Sequence, residues 1–304
     1  MSITSVLTGR GQASGLLVRE YIGIFKPRIA ISIALSAIGG MAVSPGHLPT
    51  AANATALTLA VLFAAAAAGA FNQWAEADLD AGMKRTAGRP FASGRVPASR
   101  AWLAGIVALL AGACVLAMLA TNVWAATYTL LGALTYAVVY TVWLKRRTWL
   151  NIVVGGLAGS FAVLAGAAAV DPWLAPEPVL LAVVLFLWTP PHFWSLAIAA
   201  HDDYEANRVP MLPVVVGNAR CSKVILAHIV PLSLIALVPA YYGMGWIYLT
   251  MAVAGGLLFT FTGIRLVIRP DKRRAIHNFL ASLAQLLLLL AGAVLDRWLL
   301  GGSV

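Results

Sequence analysis

The sequence predicts an all-α, polytopic membrane protein, with nine transmembrane helices around a central cavity that opens to the cytoplasmic side. Three observations carry this. Of 304 residues, 61% are hydrophobic and only 11% charged, roughly half the charged share of a soluble domain. Apolar runs long enough to cross a bilayer core of about 30 Å recur along the whole chain. The basic residues gather in alternate connections between those runs.

In order, the runs span roughly 22–43, 53–72, 101–120, 123–143, 150–169, 179–199, 222–241, 244–267 and 276–299. Residues ahead of the first include Arg10 and Arg19 but no apolar stretch with a cleavage site. The first run is therefore expected to be an anchor and not a cleaved leader. The third and fourth are parted only by Thr121 and Asn122, and the seventh and eighth only by YYGMGW; each pair is expected to form a tight hairpin. In the fifth, Gly155, Gly159 and Gly166 suit close helix packing or a face cleared for a bulky planar ligand. Pro190 and Pro191 fall mid-way in the sixth and are expected to break or kink it.

Of the 21 Lys and Arg, all but Arg297 lie in connections on one side. By the positive-inside rule that side is cytoplasmic, with the N-terminus inside and the C-terminus outside. The net charge of +10 does not point to nucleic acid, because these residues flank apolar spans and form no soluble patch. Cys114 and Cys221 sit in or beside apolar helices and lack metal-ligand spacing, which leaves them as packing residues. There is no P-loop, nucleophile elbow, CxxCH or dinucleotide fingerprint. The chain reads as one integral-membrane domain over residues 1–304. Its second and sixth helices both run inward and end in acidic clusters, which suggests a parallel pseudo-repeat of helices 1–4 and 5–8, with helix 9 added.

The longest polar run is FNQWAEADLDAGMKRTAGRPFASGRVP, Phe71 to Pro97. Asn72, Glu76 and Asp80 are spaced i, i+4, i+8 and fall on one helical stripe, about 40° apart at each step. Lys84, Arg85, Arg89 and Arg95 follow. Acid on a helix end and base on the next loop suit a metal ion held together with a phosphate. The plain alternative is a solvated loop, although three polar groups on one stripe at a membrane boundary are costly without a use.

The sixth helix supplies a second cluster: His201, Asp202, Asp203, Tyr204 and Glu205. Adjacent carboxylates repel unless a cation lies near them. Mg²⁺ suits such a place, since it takes oxygen ligands from one or two carboxylates and substrate phosphates. No Cys/His cluster offers a zinc site. Where the fourth helix meets the fifth, Tyr136, Tyr140, Lys145, Arg146, Arg147 and Asn151 gather. Their bases serve as a helix anchor or as phosphate neutralisation on the same face as the acids. Lys272, Arg273 and Arg274 read as a topogenic anchor.

Asn72-x-x-x-Glu76-x-x-x-Asp80 resembles the first acidic motif of the UbiA superfamily of intramembrane prenyltransferases. The runs YTVWLKRRTWLNIVVGGLAGSFAVLAGAAAV and PPHFWSLAIAAHDDYEANRVPMLPVVVG, with MKRTAGRP, are similar to its protohaem-farnesylating branch. The likeness extends from FKPRI (Phe25 to Ile29) to the last helix. The resemblance implies transfer of a farnesyl group from farnesyl diphosphate to a vinyl group of protohaem IX with addition of water, giving haem O and diphosphate. It implies Mg²⁺, the lipid bilayer of a bacterial plasma (inner) membrane, and a haem A-forming partner. It makes Asn72, Glu76, Asp80, Asp202 and Asp203 catalytic and metal-binding. Lys84, Arg85 and Arg89 would face the diphosphate, with Lys145, Arg146 and Tyr204 among the substrate-binding residues. His192 would be a substrate contact, a haem-iron ligand or a hydrogen-bonded packing residue. Glu76 stands where many members have Asp, Asp203 plus four is Asn207, and Arg208 stands where Gly is expected. The readings set beside this one are a related prenyltransferase acting on a quinone precursor and a cation-coupled transporter. Acids at one face, away from the midplane, count against the transporter.

Overall fold

The computed structural model describes residues 18–301, and the regular elements among them are all helices. The readings that rest on residues 1–17, Arg10 in the basic set and the uncleaved leader, lie outside the described residues. Eight helices are long and apolar enough to cross a membrane, and a ninth is added when the bent pair α1 (Val18–Ile24) and α2 (Pro27–Val43) is taken as one span. The expected first run thus contains a 47° bend. It falls at Phe25 and Lys26, just ahead of Pro27, which opens α2 with a preset φ. Lys26 takes the left-handed region, φ 48°.

The chain continues through α3 (Ala51–Ala75), α4 (Ala77–Gly82), α5 (Arg100–Ala120), and α6 (Val123–Leu134), which runs on as a π-helix over Thr135–Leu144. Then come α7 (Asn151–Gly155), α8 (Leu157–Ala168), α9 (Pro176–Ala199), α10 (His201–Ala206), α11 (Leu212–Val216), α12 (Asn218–Ile235), α13 (Trp246–Ile268) and α14 (Lys272–Leu299). The α5–α6 hairpin turns at Thr121 and Asn122 as expected, with the Asn122 side chain capping α6 at the Ala125 amide, 3.0 Å. The turn before α13 is a short 3₁₀-helix, Val238–Tyr242. Of the break or kink expected at Pro190 and Pro191, the break does not occur: α9 stays helical through both.

The outer surfaces are apolar. Leu119, Leu257 and Ile268 are exposed, as side chains facing lipid should be. Trp173, Tyr241, Trp246 and Trp298 are exposed at the end away from the basic loops, where aromatic rings collect at a membrane interface. Inside, helices meet through small residues. A Cβ added to Gly166 would strike the Ala37 carbonyl, and one added to Gly40 would strike the Val163 carbonyl. Backbone contact between α2 and α8 is the packing gain such positions allow. Gly155 is likewise filled, by the Tyr140 ring.

Candidate prenyl-transfer site

The polar interior lies at the basic end of the bundle and begins with Asn72, Glu76 and Asp80, all almost fully buried. The expected stripe exists but crosses a break. Asn72 lies in the last turn of α3, Glu76 caps it with φ −111° and ψ 19°, and Asp80 lies in α4. The backbone bonds still run four residues back, Glu76 N to Asn72 O at 3.1 Å and Asp80 N to Glu76 O at 2.8 Å, so the three side chains keep their shared face.

Each is answered by a group from another segment. The Lys145 ammonium pairs with Glu76 Oε2. Arg89 Nη1 lies 2.6 Å from Asp80 Oδ2. Asn72 donates to Glu76 Oε2 at 2.8 Å and to Thr141 Oγ1 at 2.9 Å, and its carbonyl accepts from Lys26. Lys26 also donates to the Tyr136 hydroxyl at 3.0 Å. The π-helix makes this possible. Tyr136 and Lys145 are nine residues apart and would fall on opposite faces at 3.6 residues per turn. The wider i→i+5 winding brings Tyr136, Thr141 and Lys145 onto one side, opposite Asn72 and Glu76.

The second cluster is built on the same backbone device. α9 ends at Ala200, φ −116° and ψ 30°, and α10 follows. Asp202 is exposed and Asp203 half-buried. They line a cleft of about 710 Å³ together with Lys84 and Arg85. Tyr204 is buried; burial pushes its phenol above the usual range, and the positive charge of Arg85 pulls it back. Asn207, which holds the place of an expected second aspartate, donates to the Gly82 carbonyl at 3.2 Å and the Asp203 carbonyl at 2.9 Å. It joins the end of α4 to the end of α10. A Cβ at position 82 would overlap the Asn207 side-chain oxygen, so a larger residue there would push this bridge aside.

Two of the expected residues, Arg146 and His192, have partners outside the acidic clusters of the site. Arg146 makes a two-pronged pair with Asp78, at 2.9 and 2.7 Å, on an exposed surface. That pair holds the Asp78 carboxyl below its usual range. His192 is clasped between Trp188, 4.2 Å away, and Phe279, 4.5 Å away. Its Nδ1 lies 2.7 Å from Ser282 Oγ, so both ring faces are covered. Sequence reading missed Lys26 and Thr141 as members of the site. The one available signal was a lysine set against a proline inside an apolar run.

Among the described residues, no three of His, Cys, Asp and Glu converge closely enough to hold a metal ion unaided. The donors nevertheless fit a hard divalent cation completed by phosphate. Asn72, Glu76 and Asp80 offer oxygen only, and Glu76 Oε1 is buried with no hydrogen-bond partner. Mg²⁺ is commonly held by one or two carboxylates plus substrate oxygens.

Long apolar helices enclose acids, an amide and bases at one end, and the chain belongs to the UbiA prenyltransferase family, whose model matches residues 33–291. It is similar to protoheme IX farnesyltransferase 2 of Paramagnetospirillum magneticum, 51% identical over 91% of this chain and 96% of that one. Protoheme IX farnesyltransferase of Afipia carboxidovorans is 39% identical over 90% of this chain and 88% of its own. In fold, the chain is similar to a UbiA homologue from Archaeoglobus fulgidus bound to DMAPP and Mg²⁺. The TM-score is 0.71 at 15% identity, covering 89% of this chain and 99% of that one.

Proposed function

We infer that the protein transfers the farnesyl group of farnesyl diphosphate to a vinyl group of protohaem IX, with addition of water, to give haem O and diphosphate. The carrying observation is the 51% identity to a protoheme IX farnesyltransferase over 91% of the chain, and the side chains suit that reaction. The C1–O bond of the donor breaks and its electron pair leaves with diphosphate. Lys26, Lys145, Arg85 and Arg89 come from three separate stretches and place positive charge where this negative charge develops. Charge preset in a site shielded from water stabilises such a transition state strongly. The vinyl carbon bonds to C1, and the cation left on the porphyrin side takes water, which then sheds a proton. Apolar walls limit access to that one water.

Asn72, Glu76 and Asp80 on one side and Asp202 and Asp203 on the other would hold Mg²⁺, which neutralises the diphosphate when bound. The basic face is taken as cytoplasmic on the positive-inside rule, in a bacterial plasma membrane. Both donor and product carry a farnesyl chain, and the bilayer is their solvent. Membranes containing the protein, given protohaem and farnesyl diphosphate, should yield a farnesylated haem separable by chromatography. An unaltered haem beside a prenylated phenol from added quinone precursor would move the acceptor to the other class.

A further inference from the structure

Four polar side chains bridge α9 and α14 away from the acidic clusters: His192 and Ser195 on α9, Asn278 and Ser282 on α14. Polar groups inside a membrane are costly unless they satisfy one another or serve a function. Asn278 and Ser195 satisfy one another. The Asn278 amide donates to Ser195 Oγ at 2.8 Å, Ser195 donates to the Pro191 carbonyl at 2.6 Å, and the Asn278 carbonyl accepts from Thr262 at 2.8 Å.

His192 and Ser282 do not close in this way. Ser282 donates to the Phe279 carbonyl at 2.6 Å. Its one proton is spent there, so at the 2.7 Å contact Ser282 accepts and His192 Nδ1 carries the ring proton. A neutral imidazole has one N–H and one bare nitrogen, which leaves the lone pair on Nε2. Among the described residues Nε2 has no hydrogen-bond partner. Nor is it sealed, as the unpartnered Trp194 Nε1 is. His192 lies deep in the bundle and still keeps accessible surface, so the space beside it is internal. The ring is also clamped. Trp188 and Phe279 stack on its two faces with planes inclined by only 17° and 26°.

A bare imidazole nitrogen whose partner nitrogen donates to an oxygen is the arrangement of a metal ligand. Yet among the described residues no three of His, Cys, Asp and Glu converge, so His192 belongs to no metal site held by the protein alone. A lone histidine suits a metal that brings its own equatorial ligands, as a porphyrin iron does, and needs only an axial one. The edges of Trp188 and Phe279 would then meet the porphyrin face, a favoured aromatic geometry.

We propose that His192 Nε2 binds the iron of the haem acceptor through its free lone pair, and that Ser282 is the positioning residue that fixes the tautomer. This rests on the farnesyl-transfer reading and adds how the acceptor is held. His192 precedes Asp202 by ten residues, a helical rise of about 15 Å. The bond therefore sets the depth of the porphyrin below the acidic end and leaves its rotation to the surrounding walls.

The test reads coordination directly. Purified full-length protein in detergent is titrated with ferric protohaem and, separately, with metal-free protoporphyrin IX, which has the same ring and side groups without iron. The wild type should show the absorption and electron-spin-resonance signature of a histidine-ligated haem. His192→Ala should lose that signature, regain it on addition of free imidazole, and bind protohaem more weakly with its affinity for the metal-free ring unchanged. His192→Gln keeps an N–H for Ser282, guards against loss of the fold, and should show the same loss. Ser282→Ala should weaken protohaem binding about tenfold, again without effect on the metal-free ring. A signature unchanged in both His192 variants, or equal losses with protohaem and the metal-free ring, would overturn the proposal, since a merely structural histidine cannot tell the two apart. A wild type that farnesylates haem without showing the signature overturns this proposal alone. One that makes no farnesylated haem removes the reading beneath it.

Discussion

The two acidic segments share a backbone and differ in what fills it. α3 breaks at Glu76 and α9 at Ala200, with nearly the same angles, and each gives way to a six-residue helix. At the first break the side chain is a buried carboxylate held by Lys145, and Asp80 behind it is held by Arg89. At the second break it is a methyl group, and the neighbouring carboxylates lie at an open cleft. One half of the site is preformed, its acids neutralised by bases until a ligand replaces them. The other half is solvated and is completed only by what binds. The same turn of chain can therefore serve rigidity or access, depending on the residue at the break.

The largest effect should come from breaking the preformed half. Glu76→Gln leaves the Lys145 ammonium buried and unpaired, a loss of about 3–5 kcal/mol. It should lower the thermal midpoint in detergent and cut haem farnesylation about 10³-fold. Asp203→Asn, on the open half, should cut Mg²⁺-dependent diphosphate release about 100-fold with stability changed by less than about 0.5 kcal/mol. Unchanged release would remove Asp203 from the metal-binding set. Lys26→Met deletes charged hydrogen bonds worth about 1.5–3 kcal/mol. A fall of roughly 10- to 100-fold in kcat/KM for farnesyl diphosphate should follow. The smallest effect belongs to Arg146→Gln. Its pair with Asp78 is largely exposed and worth under about 1 kcal/mol, so farnesylation should stay within about twofold. A tenfold drop would return Arg146 to the diphosphate site.

Much of this contrast could not be read along the chain. Apolar length and the alternation of Lys and Arg disclosed the spans, because lipid imposes both. The i, i+4, i+8 spacing of Asn72, Glu76 and Asp80 survived its helix break, because the backbone bonds still reach back four residues. The bend at Lys26 was hidden inside a run whose average is apolar. The π-winding of Thr135–Leu144 has no compositional mark, yet it decides that Tyr136, Thr141 and Lys145 face one way. The pairing of Glu76 with Lys145 spans 69 residues and depends on how α3 meets that winding. Pro190 and Pro191 suggested a break or kink, yet α9 stays helical through both.

The central claim is that both acidic segments act on one reaction, farnesyl transfer to protohaem with capture of water. Incubation of wild type and Asp203→Asn with protohaem, farnesyl diphosphate and Mg²⁺ in oxygen-18 water, followed by mass spectrometry of the haems, tests it directly. The wild type should give a haem heavier by one farnesyl group and one labelled hydroxyl, and the variant should give almost none. A farnesylated haem without the label, or equal product from both proteins, would contradict the account.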